Sequence, residues 1–285
     1  AIALRLVRGA LVEAVGEREA AKRVTAVTDR EAGLLRAMAQ REGWRTFEIP
    51  RSVGGRWSVL SSVGLLPCSA SGIPVADMLA GGRFELDRST RIDAGNDALR
   101  YALARYLIHE RGAAVEILST FHPELASFAE WWKQLAGESE GKAGRGLFPA
   151  SAVMTTDLHS LGQYLQEGSR RLLETFLVAA APRADIALER SPDDADGLDY
   201  LAGRSLGSVN RSAFEGTRDA HAAGGIPVVT IEAPAVTPNS LGGLFVFFEV
   251  AIAVSALLLG VNPFDQPGVE EYKKRMSRLL GKPSS

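Results

Sequence analysis

Short β-rich runs, several of them near-continuously apolar, alternate with longer stretches of helical periodicity, and this alternation constrains the chain more than any other feature. The runs are "RVTAVT" (23–28), "RTFEIP" (45–50), "AAVEILST" (113–120), "FPASAVM" (148–154), "TFLVAAA" (175–181), "DIALER" (185–190) and "PVVTIEA" (227–233). Helical patterning covers 30–42, 58–70, 95–111, 124–135 and 159–171 between them. A strand that is apolar along its whole length needs cover on both faces, as in a parallel sheet flanked by helices. The expected fold is α/β, with doubly wound parallel sheets.

With 285 residues, 46% of them hydrophobic, the chain has material for one large domain or two ordinary ones. The stretch "GGRFELDRSTRIDAGN" (81–96) is Gly-rich, charged and weakly periodic, which places the expected boundary there: one unit over 1–88, a second over 89–285. The first unit is then short, with two clear strands where a doubly wound sheet normally has more. A second polar stretch, 189–208, reads as a solvated excursion.

Composition excludes several classes. Lys plus Arg total 32 against 34 Asp plus Glu, so the formal charge of −2 offers no footprint for nucleic acid or an anionic membrane. A single cysteine, Cys68, rules out a disulfide within the chain and points to a reducing cytoplasm. His109, His122, His159 and His221 are scattered, without zinc-ligand spacing, so no metal is expected. "LGGLFVFFEVAIAVSALLLG" (241–260) is long enough to span a bilayer. Glu249 at its centre and the lack of flanking Lys or Arg instead favour a buried core helix.

Four constellations carry chemistry. "SVGGRWSVLSSVGLLP" (52–67) sets two glycines and Arg56 before an apolar helix, either as an anion cradle or as a tight turn with a surface arginine. "KQLAGESEGK" (133–142) places Glu138 and Glu140 in a small-residue turn, as a catalytic base or as solvated loop charges. "TTDLHSLGQYLQEG" (155–168) offers Asp157 as an N-cap and His159 in the first helical turn. "GVNPFDQPGVEEYKK" (260–274) is a Pro- and Gly-rich loop opening a helix that carries Lys273.

Together with "WWKQLAGESEGKAGRGLFPAS" and "FEGTRDAHAAGGIP", these motifs resemble the glucose-6-phosphate isomerase (phosphoglucose isomerase) family, in its shorter bacterial form, in the family's order from residue 52 to 281. The combination of "GESEGK" and "NPFDQPGVEEYK" is highly specific. Trp57 departs from the Phe or Tyr usual after Gly-Gly-Arg, an aromatic exchange that keeps the packing. The resemblance implies two sugar-isomerase (SIS) domains, the first incomplete here. It also implies reversible conversion of glucose 6-phosphate to fructose 6-phosphate without cofactor. By motif, Glu138 matches the base moving the proton between C2 and C1, and His159 and Lys273 match the groups that open the ring. Arg56 matches the arginine beside the enediolate, and Gln134 a glutamine contacting the sugar. A cytoplasmic homodimer is implied as well, with the histidine reaching the site from the neighbouring subunit.

The residue types suit that chemistry independently of the resemblance. A carboxylate can move a proton between adjacent carbons through a cis-enediol, and a guanidinium can stabilise the charge that develops. A histidine titrating near neutrality can exchange protons with the ring oxygen and anomeric hydroxyl. The family's Ser/Thr-rich phosphate loop would lie just before "AIALRLVRG", an amphipathic opening without a cap or initiator Met. The chain therefore reads either as part of a longer isomerase or as a non-catalytic phosphosugar-binding fragment.

Overall fold

The computed structural model describes residues 2–281. The chain divides into two compact units, Ala1–Val75 and Ala76–Ser285.

In the first unit, α1 (Ile2–Val15) and α2 (Glu17–Arg23) precede β1 (Thr25–Thr28), α3 (Leu34–Glu42), β2 (Arg45–Glu48) and α4 (Ser62–Ala70). β1 and β2 pair in parallel, from Thr25 opposite Arg45 to Thr28 opposite Glu48. Their core is small: Ala26, Ala39 and Trp44, with Leu4, Leu35 and Met38 packed around them. Gly43 adopts a left-handed φ of 69° and returns its N–H to the Ala39 carbonyl, a reversal that glycine makes without Cβ strain and that aims the chain into β2. An Arg8–Glu42 ion pair links α1 to the end of α3.

The second unit contains α5 (Val75–Ser89), α6 (Asp97–Glu110), β3 (Val115–Thr120), α7 (Ala126–Glu140), β4 (Phe148–Val153) and α8 (Leu158–Glu167). It continues through β5 (Leu172–Ala181), α9 (Leu206–Ala223), β6 (Val228–Ala235), α10 (Pro238–Leu258) and α11 (Val269–Leu279). The four strands are parallel in the order β4-β3-β5-β6, so the winding reverses between β3 and β5, as in a doubly wound sheet. Ile117, Phe121, Leu165, Phe176 and Phe214 fill one layer. Tyr101, Phe128, Trp132 and Phe248 are buried too, and the Phe248 ring contacts each of the other three.

α10 is the apolar stretch that could be mistaken for a membrane span. It is seated as a core helix, packed on α6, α7 and β6, with Phe247, Phe248, Ala251, Ile252 and Ala256 buried. Full burial of a Phe side chain such as Phe248 is worth roughly 1.5–3 kcal/mol. Thr237 accepts a hydrogen bond from Ser240 N at 3.1 Å and Pro238 takes the first helical position, which fixes where the helix starts.

Six of the seven expected strands form; "DIALER" does not. Ala187 makes only an isolated bridge to Ser205, and Ile186 is exposed, because 182–205 runs outside the sheet with no neighbouring ladder to join. The units separate at 75/76, not at the expected 88/89. The reason is α5, which carries the first part of the Gly-rich stretch, as far as Ser89, and meets α10 backbone to backbone. A Cβ on Gly81 would stand 1.8 Å from the Asn239 carbonyl oxygen, and one on Gly242 would stand 1.9 Å from that of Met78. Gly81, which looked like part of a linker, is a point of close helix–helix contact.

Candidate active site

Residues 137–140 are not a turn. They form the last turn of α7, which ends at Gly141. Glycine and serine are poor helix formers, but β4 packs directly on this turn: a Cβ on Gly137 would stand in van der Waals contact with Pro149 Cγ at 3.4 Å. Glu138 is half-buried, and Gln134, one turn earlier, donates Nε2 to Glu138 Oε1 at 3.2 Å. Glu140 is 1% exposed and belongs to the core.

A single guanidinium holds it there. Arg105 of α6, fully buried, meets Glu140 with both terminal nitrogens, Nη2 reaching Oε2 at 3.0 Å. Its Nε donates to Glu116 Oε2 at 2.6 Å and Nη1 to Ser255 Oγ at 2.9 Å. Tyr101 (2.5 Å) and Thr175 (2.7 Å) donate their hydroxyls to Glu116 Oε1. Burial opposes the charge on Arg105, but Glu116 and Glu140 more than offset it and hold its pKa well above the usual guanidinium value. The cluster joins α6, β3, α7, β5 and α10 at the root of the helix turn that presents Glu138. Glu140 is therefore neither a solvated loop charge nor a second base.

Lys273 lies on α11, its side chain about half exposed, and donates to Glu270 Oε1 at 3.0 Å. Its pKa is raised, first by that hydrogen bond and least by the charge of Glu138. His159 is exposed in the first turn of α8. Asp157 occupies the N-cap position, but its carboxylate accepts from Val153 N at 2.7 Å and does not cap the helix. The expected capping role is thus replaced by a tie back to the end of β4.

Topology separates these groups. In a parallel sheet α7 returns antiparallel to the strands, so Glu138 stands at the edge where β4 begins, beside Pro149. His159 follows the end of β4, at the opposite edge. The six residues of β4 span roughly 20 Å. Glu138, Gln134 and Lys273 share one end of the sheet, and His159 of the same chain is at the other.

Arg56 belongs to the first unit. It sits in a 3-10 turn over Gly55–Trp57 and is 2% exposed, which removes the reading of a surface arginine. Its guanidinium carbon lies 5.8 Å from the centre of the Trp57 ring. The following helix, α4, starts only at Ser62, and Ser61 Oγ accepts from Val63 N, so the glycines do not themselves open a helix. A cavity of about 610 Å³ lies elsewhere, between α5, α6, β6 and α10, and none of these candidate residues lines it. Among the described residues no group of three or more His, Cys, Asp or Glu side chains is placed to hold a metal ion.

Comparison with known proteins gives the arrangement its context. Residues 4–161 and 201–284 match the family described as "Phosphoglucose isomerase". The chain belongs to the phosphoglucose isomerase family. The unmatched segment, 162–200, includes most of the polar excursion and the failed "DIALER" strand. Proteins named glucose-6-phosphate isomerase from Caldanaerobacter subterraneus subsp. tengcongensis and Bacillus cereus are 48% and 49% identical over 99% of this chain. The chain spans about 63% of the length of these curated relatives. A hypothetical protein of Thermus thermophilus superposes with a TM-score of 0.92 at 30% identity, over 98% of this chain and 68% of its own. A glucose-6-phosphate isomerase from Chlamydia trachomatis shares the fold, with a TM-score of 0.79 at 20% identity, over 97% of this chain and 56% of its own.

Proposed function

We propose that the enzyme carrying this chain interconverts glucose 6-phosphate and fructose 6-phosphate, with Glu138 as the base. The observation that supports this reading most is the placement of Glu138. In a chain of the phosphoglucose isomerase family, one glutamate of the "GESEGK" motif is committed to a buried ion pair. The other is half-buried beside Gln134, within the field of the Lys273 ammonium.

The chemistry follows from the residue types. Ring opening requires a proton on the ring oxygen and removal of the proton from the anomeric hydroxyl, an exchange suited to His159 and Lys273. The Glu138 carboxylate then takes the proton from C2, giving a cis-enediol, and returns it to C1 while O2 becomes the ketone. Arg56 would stabilise negative charge on the enediolate oxygens, and Gln134 would hold a sugar hydroxyl. Because the strand separates Glu138 from His159 of the same chain, we place the histidine of a second copy in the site, which makes the active enzyme a homodimer with shared sites. A cytoplasmic location is part of the same proposal and rests on the lone, unpaired Cys68.

The test uses the full-length enzyme that carries this chain. Glu138→Gln should lower turnover by on the order of 10²–10⁴-fold while leaving sugar phosphate affinity nearly unchanged. Mixing inactive Glu138→Gln and His159→Ala subunits should regenerate activity, because half of the sites in a mixed dimer regain both groups. Full activity of Glu138→Gln would refute the base assignment; mixed dimers that stay inactive would refute the shared site.

A further inference from the structure

Two cations leave the turn after Glu140 without a part in the chemistry above. Lys142, only 13% exposed at its side chain, donates Nζ to the main-chain oxygen of Asn262 and lies 2.8 Å from Asp265 Oδ1. Arg145 donates Nη1 to the Leu259 carbonyl at 2.7 Å, at the C-terminal cap of α10 where helix carbonyls lack intrahelical partners. The turn itself is compact, with Lys142 N bonded to Glu140 O at 2.7 Å and Arg145 N to Lys142 O at 2.9 Å. The segment ending the Glu138 helix is therefore tied at two points to residues 259–265, which leave α10 and lead into α11.

That tie matters because α11 itself presents no buried face. None of its residues is buried, and its ion pairs Lys273–Glu270 and Arg275–Glu271 lie within the helix. A helix without a buried face is placed by what holds its ends. Lys273 lies in the second turn of α11, a few residues beyond the loop that Lys142 grips.

We propose that Lys142 is a positioning residue: by binding Asn262 and Asp265 it fixes the loop 260–268 to the end of α7, and so sets the spacing between Lys273 and Glu138. The proposal rests on the function above only for what Lys273 does once it is placed. The carbonyl of Asn262 supplies the more durable half of the tie, because Asp265 is half-exposed and its ionic attraction is screened by solvent. Arginine can reach the same oxygens with altered geometry, whereas methionine fills the space and binds neither.

Amide hydrogen exchange on the 285-residue chain tests the tie directly. Lys142→Met should speed exchange across 262–272 by about tenfold or more, with β3 and β5 as protected as before. Lys142→Arg should restore part of the protection, and Asp265→Asn, which acts from the other side of the tie, should give a smaller increase. In the full-length enzyme, Lys142→Met should lower kcat for the cyclic sugar phosphate by about tenfold, with a smaller change in KM and a smaller loss on an open-chain analogue. Unchanged exchange at 262–272 in both Lys142→Met and Asp265→Asn would overturn the proposal. Faster exchange with unchanged kcat would overturn it as well, since the loop would then be free without consequence for Lys273. A parent enzyme without isomerase activity would defeat the proposed function instead, and the exchange experiment would still decide the tie.

Discussion

Replacing Glu249 by Gln should stabilise the second unit, and by an amount that depends on pH. Glu249 lies near the middle of α10, with Oε1 buried and without a hydrogen-bond partner. Burial alone pushes its carboxyl from the usual 4.5 to about 8. The folded chain therefore keeps this proton up to about pH 8, while the unfolded chain gives it up near 4.5. Across that window the folded state binds the extra proton, so stability falls as pH rises and levels off above 8. The full difference is worth roughly 5 kcal/mol, of which roughly 3 is expressed by about pH 7. Glutamine fills the same volume without an ionisable group and removes the slope. Urea unfolding of both proteins at half-unit steps from about pH 4 to 9, followed by tryptophan fluorescence, reads the difference directly. The curves should meet near the bottom of that range and diverge steadily above about pH 5, with the Gln protein the more stable. Parallel curves would refute the reasoning, because they would mean that the carboxylate ionises in the folded chain at no cost.

Glu140→Ala should cost about 3–5 kcal/mol in the same assay, because it strips a carboxylate from the buried Arg105; Glu138→Gln should change stability by under about 1 kcal/mol. Equal effects at the two positions would contradict the assignment of Glu140 to the core. Gly242→Ala should lower stability by about 1–3 kcal/mol or more through the clash with the Met78 carbonyl, measured by thermal melting; a neutral result would mean that α5 and α10 can separate freely.

The sheet was legible because a strand covered on both faces has few sequence alternatives. What misled was polar and small-residue content whose reason is tertiary. Gly81 looked like part of a linker because its partner, Asn239 of α10, lies some 160 residues further along the chain. The Gly-Glu-Ser-Glu-Gly run looked like a turn because its helix is held by packing on Pro149 and by Arg105, not by propensity. One signal was present and pointed inward: Glu116 and Glu174 each interrupt an apolar strand, and a carboxylate between two covered faces needs a partner. Both have one. Glu116 meets Arg105 and Tyr101; Glu174 meets His221 at 2.6 Å and Ser119 at 2.6 Å. The sequence could flag the need but not name the partner, since no periodicity relates residues 174 and 221.

Among the candidate site residues, Glu138 is the one whose orientation follows from helix geometry once the core is known. Residues two apart on an α-helix point roughly 200° from each other. With Glu140 drawn inward by Arg105, Glu138 has to face away from the core, where a substrate can reach it. Spacing alone is symmetric between the two glutamates, and the buried arginine breaks the symmetry. The same constraint explains the separation from His159. The end of α7 faces the start of β4, the histidine follows the end of that strand, and no rotamer spans a strand of roughly 20 Å. Under the proposed function, which uses both groups, the two would come from two copies of the chain. The packing that turns Glu138 outward is thus also the reason the proposed function calls on a second subunit for the histidine.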